Sequence, residues 1–259
     1  MPGTSVGSLT PEIQELVGFN CEVLLPATHD TASAVVAVPT TSEEAIYLSS
    51  GTWSLMGIER FEADCSLDSM KYNFTNEGGI DYRFRYLKNI MGLWMIQSLK
   101  KELKDRYTFA ELCDLASKES IETIVDCQDP CFLAPSSMVE AIQSYCKNRN
   151  LTVPQTAGEL AAVIYNSLAR CYQKTVTEIE MLVDHQYECI HIIGGGAHAE
   201  YLNILTAKAT GKIVYAGPTE ATAIGNLAVQ MLSTGVFKDI QEARQCIYKS
   251  FEIKEYGGR

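Results

Sequence analysis

Ala27-Thr28-His29-Asp30-Thr31-Ala32-Ser33-Ala34, followed some twenty residues later by Ser49-Ser50-Gly51-Thr52-Trp53-Ser54, sets the organisation of the chain. The apolar run 23–26 delivers one carboxylate, Asp30, to the start of a small-residue segment. The run 45–48 delivers a glycine with a hydroxyl beside it. A carboxylate after a strand suits a general base, because open α/β sheets place their sites at the carboxyl ends of strands. Gly51-Thr52 suits a phosphate cradle, since glycine lets backbone amides approach phosphate oxygens and threonine adds a donor. Each has a plainer reading: Asp30 as a helix cap or turn residue, Gly51-Thr52 as ordinary hairpin chemistry.

Outward from these stretches, a helix is expected over 10–17, with Thr10 as cap, Pro11 at its first position and Gly18 as its stop. A strand follows at 22–26, then a helix over 31–38. Strands at 45–49 and 53–59 read as a hairpin turning at Gly51. A loop and strand cover 73–87 before a helix over 91–104. Helical spacing dominates the middle, at 109–117, 138–146 and 156–182. The last third changes to a strand, loop, helix rhythm: strand 188–193, tight loop 194–197, helix 198–209, strand 212–216, turn 217–219 and helix 220–232. Residues 2–8, rich in Pro, Gly, Ser and Thr, read as linker. This order predicts an α/β fold with a mixed sheet covered on both faces.

The chain has 259 residues, 46% hydrophobic and 20% charged, as in ordinary globular proteins. No apolar stretch approaches the roughly 20 residues of a membrane-spanning helix. The first eight residues lack the basic and apolar regions of a signal peptide, so a cytoplasmic location is expected. With 21 Lys plus Arg against 32 Asp plus Glu, net charge −11, the chain repels polyanions and nucleic acid is not an expected partner. A nucleotide remains compatible, because a few backbone amides and Mg²⁺ hold phosphates even in an acidic protein. The nine cysteines show no C-x-x-C spacing and no zinc pattern. Most are expected as reduced thiols packed as small apolar groups.

Gly194-Gly195-Gly196-Ala197-His198-Ala199 satisfies a loose G-x-G-x-x-A dinucleotide pattern. It lies late in the chain, and the next strand ends Val214-Tyr215-Ala216 without the acidic residue such a site uses. Glycines at a strand-to-helix turn still admit a flat base or a phosphate. Asn89 and Gln97 are expected roughly on one side of a helix and its entry loop. A Walker A sequence is absent.

Together these stretches resemble the C-terminal domain of the FGGY carbohydrate kinases, in particular the kinases of L-rhamnulose. The resemblance rests on Thr28-His29-Asp30-Thr31-Ala32-Ser33, Tyr47-Leu48-Ser49-Ser50-Gly51-Thr52-Trp53 and Asn73-Phe74-Thr75-Asn76-Glu77-Gly78-Gly79. It continues in Lys88-Asn89-Ile90-Met91-Gly92-Leu93-Trp94, Gly194 to Ala197, and Gly217-Pro218-Thr219-Glu220-Ala221 with Ile224-Gly225-Asn226. Singly these motifs are weak; in this order and spacing they are specific. The resemblance implies a ribonuclease-H-like fold of the actin and hexokinase type. It implies Asp30 as catalytic base, with His29, Thr31 and Asn89 as sugar contacts. Gly51, Thr52, Gln97, Gly195 and Gly196 are implied as ATP contacts, with Mg²⁺ and no protein metal ligand. The implied reaction transfers the γ-phosphoryl group of ATP to the 1-hydroxyl of L-rhamnulose. L-fuculose or another ketose, and a non-catalytic nucleotide-binding module, are the alternatives; an NAD-dependent oxidoreductase rests on the glycine pattern only. Residues 1–8 are expected as the remnant of an interdomain linker and 9–259 as the C-terminal domain. The sugar-binding N-terminal domain is expected to be absent, leaving this chain alone inactive.

Overall fold

Three short elements open the chain. In the computed structural model, which describes residues 1–40, 42 and 44–257, Ser5–Ser8 forms strand β1, Pro11–Val17 helix α1 and Glu22–Leu24 strand β2. Thr10 caps α1 in an extended conformation and Gly18 ends it at φ 79°, as the Pro and Gly positions predict. Two expectations change. Ser5–Ser8, expected as linker, pairs antiparallel with β2. The run before Asp30 is not a strand of the main sheet: β2 pairs only with β1 and Val23 is 37% exposed. Pro26 offers no amide to extend the ladder. The expected domain end at 259 falls outside the described residues.

Helix α2 (Asp30–Val36) leads into strands β3 (Ile46–Ser50) and β4 (Trp53–Arg60), which form the expected hairpin. Helix α3 (Leu67–Lys71) and strand β5 (Thr75–Gly78) follow, then strand β6 (Phe84–Met91), which pairs with β4. Next come α4 (Trp94–Glu102), α5 (Phe109–Ser117), α6 (Met138–Asn148) and the long α7 (Ala157–Val183). Thr108 and Thr156 each close a capping box with the glutamate three residues on, which fixes where α5 and α7 begin. Strand β7 (Cys189–Ile193), a single 3-10 turn (Gly195–His198), α8 (Glu200–Thr210), β8 (Ile213–Ala216), α9 (Ala221–Ser233), α10 (Ile240–Ser250) and β9 (Lys254–Tyr256) complete the chain.

The main sheet has the order β5-β6-β4-β3-β7-β8-β9. Its centre, β3, β7 and β8, is parallel; the flanks are antiparallel. Strand alternation divides the core between the two faces. Ile46, Leu48, Tyr86 and Ile90 pack against α4 to α8 on one face. Tyr47, Leu87 and Ile193 pack against α2, α9 and α10 on the other. Strand β9, which was not anticipated, is three largely exposed residues with no apolar alternation to announce it. The cysteines also differ from expectation. All are free, but only Cys113, Cys127 and Cys146 are buried and four are exposed.

The site-bearing face is fixed by close backbone packing and one buried cation. A Cβ on Gly225 of α9 would lie 1.7 Å from the Ser33 carbonyl oxygen of α2, so the helices meet backbone to backbone. Arg244 of α10, 1% exposed, donates to the carbonyls of Val35 (2.9 Å) and Val36 (3.2 Å) and pairs with Glu59 of β4 at 2.6 Å. It thereby adds a charged donor to carbonyls at the C-terminal end of α2. Gly225→Ala is expected to destabilise the chain by about 1–3 kcal/mol, since neither helix has a side chain that can move aside. An unchanged urea midpoint would refute the contact.

His191 of β7, stacked on Tyr215 at 5.1 Å between centroids, has its pKa pushed down to about 4 by burial and, secondarily, by Arg244. The folded state therefore binds fewer protons than the unfolded one, whose histidine titrates at its ordinary 6.5. This contribution is complete above pH 6.5 and is lost as pH falls through 4, amounting to about 3 kcal/mol. Denaturant unfolding between pH 7 and 4.5 is expected to show the loss, and His191→Phe to flatten it.

Candidate functional site

Parallel pairing brings three strand ends to one edge of the sheet, with Ser49 opposite Ile193 and Ile192 opposite Ala216. Three loops leave that edge: Gly51-Thr52 after β3, Gly194-Gly195-Gly196 after β7 and Gly217-Pro218-Thr219 after β8. They are tied together by backbone. Gly194 N donates to Pro218 O at 3.1 Å and Gly217 N to Ile192 O at 2.8 Å. Gly194 sits at φ 83°, a conformation glycine adopts without strain. A Cβ on Gly196 would lie 2.0 Å from Ser50 Oγ, whereas one on Gly195 would meet nothing within 4 Å. Gly196 is thus packed against the end of β3, while Gly195 presents exposed backbone to open space. A flat base or a phosphate fits such a surface.

The Gly51-Thr52 turn is anchored from the other side. The carbonyls of Gly51 and Thr52 accept from Leu93 N (2.9 Å) and Trp94 N (3.1 Å) at the start of α4. A Cβ on Gly92 would lie 2.6 Å from the Trp53 carbonyl carbon. The Thr52 hydroxyl donates to Gln97 Oε1 at 3.1 Å. Of the residues implied as nucleotide contacts, Thr52 and Gln97 therefore touch, Gly51 belongs to the same turn, Gly196 packs on Ser50 beside it, and Gly195 faces open space in the same loop. Across the edge, His198 Nε2 and Thr219 Oγ1 lie 3.1 Å apart, linking the second loop to the third.

Asp30 is the first residue of α2, not its cap; His29 is the cap, and both are exposed. The Asp30 carbonyl accepts from Thr222 Oγ1 of α9 at 3.3 Å, so the start of α2 lies beside the helix that follows the third loop. Thr31 is buried, its neighbour Ser33 donating to Ala27 O at 2.6 Å. Asn89 is not in a helix or its entry loop. It lies in β6 opposite Leu55, exposed, on the face of Leu87 and therefore on the side of the sheet that carries α2. The strand continues to Met91 and α4 starts only at Trp94, because Gly92 is where the chain turns over the hairpin. No hydrogen bond joins Asp30 or Asn89 to the Thr52 cluster among the described residues.

Ser50, Gly92 and Thr222 were not singled out from sequence as functional. Gly92 carried a readable signal, a lone glycine at a strand end. Ser50 did not, since its contact with Gly196 joins segments far apart in the chain. No group of three or more His, Cys, Asp or Glu side chains able to hold a metal occurs among the described residues. No helix among them is long and apolar enough to cross a membrane.

The model of the FGGY family of carbohydrate kinases, C-terminal domain, matches residues 46–234. Rhamnulokinase of Oceanobacillus iheyensis is 50% identical over 255 residues, which are 98% of this chain and 54% of that protein. Rhamnulokinase of Bacillus subtilis is 46% identical over 257 residues, 98% of this chain and 53% of that protein. Among solved structures, ligand-bound xylulose kinase from Lactobacillus acidophilus superposes with a TM-score of 0.73 at 11% identity. That match covers 100% of this chain and 52% of the other. Plasmodium falciparum glycerol kinase with ADP gives a TM-score of 0.67 at 11% identity, covering 95% of this chain and 49% of the other. The chain spans about half the length of the curated relatives it matches. These neighbours share the fold of actin and hexokinase, and the chain belongs to the FGGY family of carbohydrate kinases, as its C-terminal domain.

Proposed function

We propose that this chain is the nucleotide-binding half of a cytoplasmic, ATP-dependent kinase that phosphorylates the 1-hydroxyl of L-rhamnulose. The observation that carries the reading is the edge at which Gly51-Thr52 and Gly195-Gly196 meet across Ser50, beside the α2 end that bears Asp30. Its missing side chains leave the kind of surface on which a nucleotide lies. The choice of sugar leans on the two rhamnulokinases, since the residues here do not discriminate ketoses by themselves.

In this reading the phosphates rest on the amides of the Gly51-Thr52 turn, with the Thr52 hydroxyl held in place by Gln97. The base lies over Gly195 and Gly196. When bound, Mg²⁺ with ATP supplies charge neutralisation on the phosphoryl group in transfer. Asp30 does the proton work. Its exposed carboxylate accepts the proton of the sugar hydroxyl as that oxygen attacks, so no alkoxide forms free in water. His29 and Asn89 orient the sugar from the same face, and Thr31 supports the loop from within. A loose phosphoryl-transfer transition state gains most from positioning, which fits a rigid phosphate turn better than a mobile one.

The test uses the chain alone and the chain fused to the N-terminal half of the Oceanobacillus iheyensis relative, with ADP release measured on a panel of ketoses. The fusion is expected to turn over L-rhamnulose in preference to L-fuculose. The chain alone is expected to show little turnover, because water is not excluded from its open edge. Asp30→Asn in the fusion is expected to lower kcat about 10²-fold or more while leaving ATP affinity unchanged. Near-normal kcat would overturn the assignment. Gly196→Val is expected to weaken ATP binding about tenfold or more by prising Gly195-Gly196 off Ser50, and unchanged affinity would place the nucleotide elsewhere.

A further inference from the structure

Behind the phosphate turn, on the face of the sheet opposite α2, an open cavity of about 850 Å³ lies between β6, α7 and the segment 124–128. Two thiols line it, Cys127 buried and Cys171 half-buried. The segment is fastened to α7 one turn before Cys171. Val125 N donates to Ser167 Oγ at 2.9 Å, and Cys127 Sγ lies 4.0 Å from Ser167 O. Residues four apart on a helix share a face, so Ser167 and Cys171 look the same way. Cys127 Sγ thus sits against the carbonyl one turn before Cys171, and both cysteines line the same cavity. The Cys127 side chain, aided by Lys88 and Lys174, holds the Cys171 thiol below its ordinary pKa, while Cys171 and burial push Cys127 up. A thiol of lowered pKa beside a partner of raised pKa, opening to a cavity, is the arrangement in which a sulfur is oxidised and then resolved.

The neighbours of the two cysteines reach both sides of the phosphate turn. Gln128, next to Cys127, accepts from Met91 N at 2.7 Å. Tyr172, next to Cys171, lies 3.0 Å from Ser54 Oγ through its hydroxyl. Met91 pairs with Trp53, and Ser54 with Ile90, in the β4–β6 ladder that carries the turn.

We propose that Cys127 and Cys171 form an oxidisable dithiol that closes to a disulfide on exposure to a hydroperoxide and stiffens the support of the Gly51-Thr52 turn. The Cys171 thiolate attacks one peroxide oxygen, the O–O bond breaks, and the sulfur becomes a sulfenic acid as the other oxygen leaves and takes up a proton. Cys127, giving its proton to the departing hydroxyl, displaces it from Cys171 as water and forms the S–S bond. With hydrogen peroxide the balance is two thiols and one peroxide to one disulfide and two waters. The dithiol stands independently of the kinase reading, and its test does not use turnover.

The full chain is treated with equimolar hydrogen peroxide, alkylated and digested with trypsin without reduction. Mass spectrometry is expected to find peptide 119–147 joined to peptide 171–174, and reductant to separate them. Because 119–147 also holds Cys131 and Cys146, the link is expected to persist in Cys131→Ser and Cys146→Ser and to vanish in Cys127→Ser and Cys171→Ser. Amide hydrogen exchange at 51–54 and 91–94 is expected to slow in the oxidised wild type. Failure of the wild-type link, or its loss in Cys131→Ser or Cys146→Ser with folding intact, overturns the pairing. Unchanged exchange at the turn overturns its coupling to the site.

Discussion

At several places in this domain a hydrogen atom is the largest group that fits where a backbone meets its neighbour, and three of them bear on the candidate site. Gly196 lies on Ser50, Gly92 on the carbonyls of the hairpin turn, and Gly225 on Ser33. Each contact joins elements distant in sequence, and together they set the height of the loops above the sheet. A side chain at Gly196 would separate the second loop from the first. One at Gly92 would lift α4, and with it Gln97, away from Thr52. One at Gly225 would part α2 from α9 and carry Asp30 with it. The site is thus made of backbone surfaces brought together by the absence of side chains, and its few functional side chains are placed by that closeness.

Buried charges complete the frame. Arg244 is nearly inaccessible, yet its guanidinium is met by two helix-end carbonyls and by Glu59. One cation thereby holds α2, α10 and β4 in a single arrangement. Removing Glu59 or the carbonyls would leave an uncompensated charge, which costs more than the pair itself contributes. On the opposite face Lys88 and Glu178, 2.7 Å apart and largely buried, tie β6 to α7 in the same way. A sheet whose central strands are parallel needs both faces covered. Here each cover is pinned by an ion pair beneath the strands that carry the site.

Much of this was readable from the residues. Thr10, Pro11 and Gly18 marked α1 to the residue, and helical spacing marked α5 and α7. The hairpin around Gly51 followed from two apolar runs. What failed was non-local. An apolar run at 22–26 reads alike in a core strand and in a two-stranded ribbon, because partner and burial are properties of the rest of the fold. Asn89 was misplaced because Ile90 and Met91 also suit a helix, and only the hairpin beneath Gly92 decides where the strand stops. The candidate residues of the edge stand out as a set only, since each alone has an ordinary structural reading.

Under the kinase reading proposed above, the geometry divides the labour between the turn and the start of α2. Phosphoryl transfer asks for fixed donors around the phosphate and a base free to meet an incoming hydroxyl. The Gly51-Thr52 turn is gripped by two backbone bonds from α4, by Gln97 and by the ladder with β6, so its donors are preorganised before any ligand arrives. Asp30 is the opposite case. Its carbonyl is held by Thr222, while its side chain stands at an exposed helix start. In the proposed reading, rigidity is concentrated at the turn that would hold the phosphates, and accessibility at the carboxylate that a second reactant would meet.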